Sequence, residues 1–205
     1  MSEQDLSTQY AEAVAEFRKQ KDDHFGTQSE SPIPAEEQKK FTGLKYFSAN
    51  YQLRLVAQVE RLPEGDFIKM NTSDDTTRLF QRYAHLRFEI EGRVLQLTAY
   101  RPADVEEQVH EHEDHDHEGH EHESHEEETL FIPFRDTLSG RETYGAGRYL
   151  DLEEETAEDG TPFVTLDFNL AYNPYCAYNE LYSCPLTPLE NVLPIPIAAG
   201  EKIYH

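Results

Sequence analysis

The chain has 205 residues, 37% of them hydrophobic, with 12 tyrosines, 11 phenylalanines and no tryptophan, which suits one domain with a core rich in aromatic rings. Its formal net charge is -23, from 41 acids against 18 lysines and arginines. A field of that sign repels phosphate backbones and anionic bilayers, so it excludes nucleic-acid binding and membrane docking and makes cations the natural counterpart.

The amino terminus "MSEQDLSTQYAEAV" has neither the basic start nor the apolar centre of a secretory signal, and no run of 18 apolar residues follows. A cytoplasmic protein is therefore expected. Leu6, Tyr10, Val14 and Phe17 recur at spacings of four, four and three, which predicts an amphipathic helix over 6–24 lying across the body. "SESPIPAEE" stops it, because the residue before each proline is pushed out of helical geometry.

From Tyr51 the period changes to two. Tyr51, Leu53, Leu55, Ala57 and Val59 alternate with mostly polar neighbours, the pattern of a strand with one buried face. "FIKMN" and "TRLFQRYA" follow as short strands behind turn residues. Leu86, Phe88 and Ile90 then alternate with Arg87, Glu89 and Glu91, and Glu91-Gly92 predicts a tight hairpin into "RVLQLTAYR". After an insert come "TLFIPFRD", "ETYGAGRYLDLE" and "PFVTLDFNLAY".

Seven or eight strands without intervening helices predict a mainly β domain, an antiparallel meander closed into a barrel or folded into a sandwich. The end of the chain carries Pro174, Pro185, Pro188, Pro194 and Pro196. These exclude a central strand or long helix there, so the tail is expected to wrap the sheet as an ordered loop, with one edge strand near Val192–Ile197.

The insert, residues 102–128, holds thirteen of the 41 acids and no lysine or arginine. Within it His110, His112, His115, His117, His120, His122 and His125 follow a five-residue repeat, HxHxx. Five residues turn a helix by a net angle of about 140° and reverse the face of a strand, so neither structure gathers the imidazoles into one wall. No large apolar side chain lies between Val109 and Leu130, which predicts a mobile coil projecting from a β-hairpin.

Imidazole and carboxylate suit Zn²⁺ and Ni²⁺ in several exchanging modes, so these seven histidines are the candidate metal ligands, against the simpler reading of a low-complexity filler. A catalytic metal centre needs rigid ligands and supporting hydrogen bonds that such a tract lacks.

Polar residues crowd the last third. In "PFVTLDFN", Val164, Leu166 and Phe168 share one strand face and Thr165, Asp167 and Asn169 the other. If Arg135 and Arg148 reach that second face, their guanidinium groups clamp a small polar or anionic ligand. Asp136, Asp167, Glu190 or Glu201 is then placed to serve as a general base. The competing reading makes the same residues pins that satisfy turns and loops. The thiols of Cys176 and Cys184 are expected buried and free, with a bridge or a metal pair as the alternatives. Outside the tract only His24, His85 and His205 remain, so no Ser-His-Asp triad assembles.

The order F-x-D-x-x-S/T-G-x-x-T-Y-G-x-G-R-Y/F-L, then D-F-N-x-A-Y-N-P-x-C, then C-P-x-x-P-x-E-N, then A-G-E, closely resembles the uncharacterised DUF1684 family. The likeness runs from "FRKQKDDHF" through "FTGLKYF" to the end and omits the histidine tract. The matching positions include Asp136, Gly140, Thr143, Tyr144, Gly145, Gly147, Arg148, Asp167, Asn169, Asn173, Cys176, Cys184, Glu190, Asn191 and Glu201. The resemblance carries no established reaction onto them.

Three readings follow. In the first, the protein binds a small ligand in a polar pocket built by its last third, with Arg135, Asp136, Tyr144, Arg148, Asp167, Asn169, Asn173, Glu190 and Asn191 as candidates. In the second it is a hydrolase or lyase using carboxylate acid–base chemistry and an arginine clamp. In the third it buffers or delivers zinc or nickel. No cofactor is required beyond a metal on the histidine loop.

Overall fold

The structure, a computed structural model, describes residues 3–103 and 129–205. A helix, α1, spans Glu3–Thr27 and encloses the range read from the apolar stripe. A short helix, α2, covers Ala35–Gln38. Seven strands follow among the described residues: β1 Arg54–Arg61, β2 Phe67–Asn71, β3 Thr77–Ile90, β4 Arg93–Pro102, β5 Thr129–Phe134, β6 Arg148–Thr156 and β7 Pro162–Asp167. No described helix is long and apolar enough to cross a membrane.

The sheet closes on itself. Its order is β1-β7-β6-β5-β4-β3, and β1 also pairs with β3, so six antiparallel strands form a barrel with β2 added against β3. Alternation explains the interior: Leu86 and Phe88 of β3, Leu97 of β4, Leu130 and Ile132 of β5, Leu150 of β6, and Val164 and Leu166 of β7 are all buried. Each such side chain contributes about 1.5–3 kcal/mol relative to exposure.

Two segments read as separate short strands, "TRLFQRYA" and "HLRFEIEG", are one 14-residue strand, β3. The pairing with β4 steps from Arg82 opposite Tyr100 to Ala84 opposite Ala99, which leaves Tyr83 as an extra, bulged residue. A bulge flips the alternation phase, and that break in period mimics a strand end. The Glu91-Gly92 hairpin forms as expected: both residues have positive φ, 51° and 76°, and Ile90 faces Arg93 across the turn.

Near Val192–Ile197 no strand forms; there is one parallel bridge, Arg135 to Val192. The segment nevertheless alternates, with Leu193, Ile195, Ile197 and Ala199 entering the main core while Pro194 and Pro196 face out. The tail thus plugs the barrel without joining its ladder. At the other end, Tyr51–Leu53 is a 3-10 turn, so β1 begins at Arg54.

Val14 and Phe25 of the helix are both 3% exposed, Phe25 in a cluster with Ile33 and Tyr178, whereas Leu6 and Phe17 are 36% and 47% exposed. Polar contacts complete the docking. Arg18 donates to the Phe47 carbonyl at 2.8 Å, and Asp22 accepts the Leu44 amide at 3.0 Å.

Candidate functional site

Of the nine candidate polar residues two pairs meet, Asp136 with Arg148 and Asp167 with Asn169, and most hydrogen bonds of the nine go to backbone. Asn191 is the clearest case. Where β4 and β5 part, one residue pair alone keeps strand geometry, Tyr100 with Phe131. Asn191 enters the gap, accepting the Thr98 amide at 2.7 Å and donating to the carbonyls of Thr98 and Pro133, both at 2.8 Å. Its side-chain amide replaces the ladder bonds that Pro133, lacking an N–H, cannot make.

Asn169 and Asn173 work alike. Asn169 exchanges two bonds with the Asn50 backbone, both at 2.8 Å. The Asn173 side chain donates to the Lys202 carbonyl at 2.8 Å, while its backbone amide donates to Glu201 Oε2 at 2.8 Å.

Asp167 and Asn169 do meet, the Asn169 side chain donating to Asp167 Oδ1 at 3.0 Å. The cause is a cap, since β7 ends at Asp167, whose carboxylate accepts the Asn169 amide at the start of the 3-10 turn Phe168–Leu170. The same carboxylate takes the Tyr10 hydroxyl at 2.7 Å, tying α1 to the end of β7. Burial, with Asp167 adding to it, pushes the Tyr10 phenol far above its ordinary value.

Arg148, the first residue of β6, bonds to Asp136 and the tail and not to Asp167. It pairs with Asp136 at 2.8 Å and donates to the carbonyls of Ile197, Ala199 and Glu201. Burial lowers its pKa, and Asp136 opposes that shift. Asp136 meanwhile accepts the Leu138 amide at 2.7 Å. The motif "YGAGR" serves this placement. Gly147 has φ +107°, and a Cβ there would lie 2.6 Å from the Phe134 carbonyl oxygen and 2.3 Å from Thr187 Oγ1.

Arg135 bonds through its backbone, donating to the Asn191 carbonyl and accepting the Leu193 amide at 3.0 and 2.8 Å. Glu190 accepts Arg82 Nε at 2.7 Å and the Tyr100 hydroxyl at 2.6 Å, on the border of a small cleft of about 290 Å³. Glu201, fully enclosed, takes the Tyr178 hydroxyl and pairs with Lys21 at 2.5 Å. Tyr144 contacts Cys176 Sγ at 3.8 Å.

The larger cleft lies elsewhere, on the outer face of the barrel beneath α1, with a volume of about 1070 Å³. None of the nine candidates lines it. Alternation puts Phe131 of β5 and Tyr149 and Asp151 of β6 on that outer face, opposite the core-facing Leu130, Ile132, Leu150 and Leu152.

The rings form a row: Phe80 stacks on Phe131 at 5.5 Å, Phe131 meets Tyr149 edge-on at 4.7 Å, and Tyr149 meets Tyr172 at 5.8 Å. Phe17 from α1 and Tyr175 close the sides, and Pro102 and Thr129, the ends of β4 and β5, sit on the rim.

Polar groups at the cleft are few. Lys21 lies over the Phe25 and Tyr172 rings at 5.1 and 4.9 Å. His24 and Arg78 stand at the border, Arg78 donating to the Ser183 carbonyl at 2.9 Å. Asp151 accepts the Tyr172 hydroxyl at 2.5 Å. It is reached by solvent, yet the concave wall surrounds it, and that desolvation raises its carboxyl above the ordinary value against the opposing pull of Tyr172 and Lys21.

Sequence reasoning missed Lys21, Phe131, Tyr149, Asp151 and Tyr172. One signal was present: in "TLFIPF" the outward positions Thr129, Phe131 and Pro133 include no charged residue, so that face needs a cover.

Cys176 and Cys184 are both free thiols, Cys184 buried and Cys176 half-buried. Among the described residues no group of three or more His, Cys, Asp or Glu side chains could hold a metal ion. The seven candidate histidine ligands lie outside the described residues, as does the insert over 104–128.

A family model described as "protein of unknown function (DUF1684)" matches residues 39–202. The structure is similar to the solution NMR structure of an uncharacterized protein from Haloarcula marismortui, with 36% sequence identity and a TM-score of 0.64. That likeness covers 97% of this chain and 95% of the other. No match was found among curated proteins.

Proposed function

The chain belongs to the DUF1684 family, and from the cleft on this family's barrel we propose that the protein binds a small organic ligand with a flat apolar body and one acidic head group. The observation that carries this is the aromatic row under α1, where Phe17 and Tyr175 remain 47% and 40% exposed inside a concavity. Apolar rings left open in a cleft with a few polar groups at its edge favour ligand capture over simple packing.

The acidic head group follows from charge contrast. In a chain whose acids outnumber its bases 41 to 18, the described residues lining the cleft include Lys21, His24 and Arg78 against one carboxylate, Asp151, with Lys21 also paired to the enclosed Glu201. Arg78, which uses one guanidinium nitrogen on Ser183, offers the remaining donors to a carboxylate or sulfonate.

The acid–base enzyme reading has weaker support. The carboxylates of Asp136, Asp167 and Glu201 are each engaged by two or more donors, which favours their role as pins.

Ligand-observed NMR with 2-naphthoic acid and 2-naphthylmethylamine tests the proposal. The acid binds, and Arg78→Gln or Phe17→Ala weakens it by about tenfold. Preference for the amine refutes the head-group assignment, and binding of neither refutes the ligand reading.

A second reading rests on the HxHxx repeat alone: the seven histidines with their interleaved carboxylates bind Zn²⁺ or Ni²⁺ as an accessory capacity.

A further inference from the structure

Cys184 follows Cys176 by eight positions, yet the chain doubles back between them. The 3-10 turn Tyr175–Ala177 starts the reversal, and the Tyr175 and Tyr182 rings meet edge-on at 5.2 Å across its base. Cys184 is held from the far side by Ser73, which accepts its amide at 3.0 Å and donates its own amide to the Cys184 carbonyl at 2.9 Å. The result sets Cys184 Sγ 3.3 Å from the backbone nitrogen of Cys176, with the Tyr144 hydroxyl 3.8 Å from Cys176 Sγ.

The thiols are unequal. The two thiols are coupled through one proton, and Cys184, with the Tyr144 hydroxyl also near, draws the half-buried Cys176 below its ordinary value against the cost of its burial. Hydrogen bonds to a sulfur anion make it the attacking species, and partial exposure gives it access.

We propose that Cys176 and Cys184 are a peroxide-oxidisable pair, with Cys176 the attacking thiolate and Cys184 the resolving thiol. The Cys176 thiolate attacks the terminal oxygen of a hydroperoxide; the O–O bond breaks, a sulfenic acid forms and the alkoxide or hydroxide leaves to be protonated. Cys184 then gives up its proton and attacks the sulfenic sulfur. The S–S bond forms, the S–O bond breaks and water leaves, so two sulfurs are oxidised as one peroxide is reduced.

This assignment does not depend on what the cleft binds. It does place the oxidisable pair at the cleft, because Cys184 is part of its wall.

The test uses the full chain and hydrogen peroxide. After treatment, denaturation in iodoacetamide and mass spectrometry, the expected product is an intramolecular Cys176–Cys184 disulfide that dithiothreitol reverses. Cys184→Ser is expected to trap a dimedone adduct on Cys176, while Cys176→Ser leaves Cys184 unlabelled at the same dose. In untreated native protein Cys176 alkylates about tenfold faster than Cys184. Equal labelling of the two thiols, a disulfide between two copies of the chain, or peroxide resistance matching a buried thiol each overturns the proposal.

Discussion

The side-chain amide of Asn191 bonds both the N–H and the C=O of Thr98, at 2.7 and 2.8 Å, as an adjacent strand would. It stands in for a neighbour that β4 lacks. The register of Tyr100 opposite Phe131 would set Thr98 opposite Pro133, and a proline cannot return the bond.

Asn191→Ala strands three buried backbone groups and is expected to cost about 2–4 kcal/mol in urea unfolding. Asn191→Asp should be at least as costly, since a carboxylate places an acceptor against the two carbonyls that now receive N–H bonds. A loss under about 0.5 kcal/mol would contradict the stitching role.

Arg148 and Asp136 form an ion pair with each side chain about 1% exposed. Arg148→Met leaves a buried carboxylate without its charge partner, a change expected to cost about 3–5 kcal/mol. The double variant Arg148→Met with Asp136→Leu should recover part of that loss, and a double-mutant cycle in chemical denaturation measures the coupling.

Gly145 and Gly147 look equivalent in "YGAGR" but differ in space. A Cβ on Gly145 would meet the Gly140 Cα at an ordinary 3.7 Å, whereas one on Gly147 would meet backbone and side-chain atoms at a φ of +107°. Gly147→Ala is expected to cost about 2 kcal/mol or more, and Gly145→Ala no more than about 1 kcal/mol, read by thermal unfolding.

Asp151 tests the electrostatics of the cleft. Its folded pKa is raised, chiefly by desolvation, so the ionised form opposes folding at neutral pH. That opposition fades as pH falls through the raised folded pKa and is gone below the unfolded value of about 3.9, where both states are protonated. Asp151→Asn is therefore expected to raise Tm at pH 7, with the gain over wild type vanishing toward pH 3. A gain that grows on acidification would reverse the sign and reject the assignment.

Deleting 104–128 tests the histidine tract. Calorimetric heats for Zn²⁺ and Ni²⁺ should be lost on deletion, and binding to the intact chain should weaken below about pH 6 as imidazoles take up protons. The Tm of the metal-free barrel should be unchanged. Equal metal affinity with and without the tract would end its claim.

Period-two alternation in β1, the second half of β3 and β7, and the Glu91-Gly92 turn, were legible as a β meander because the chain records burial locally along one face. The bulge at Tyr83 was not, since an added residue looks in sequence like the end of one strand and the start of another. The conjunction of Asp167 with Asn169 was also anticipated, although a cap and not a shared strand face produces it.

The amino-acid sequence by itself determined an acidic, mainly β chain with an amphipathic helix, and it marked Arg148, Asp167, Asn169 and Asn191 as unusual. Only the tertiary structure decided that barrel or sandwich resolves as a barrel, that those residues bond largely to backbone, and that the open aromatic surface lies under α1. The physical reason is range. Alternation and turn chemistry act over a few residues, whereas the cleft joins Phe17, Phe131 and Tyr172 across more than 150 positions, and such a meeting is fixed by closure of the barrel and by where α1 docks.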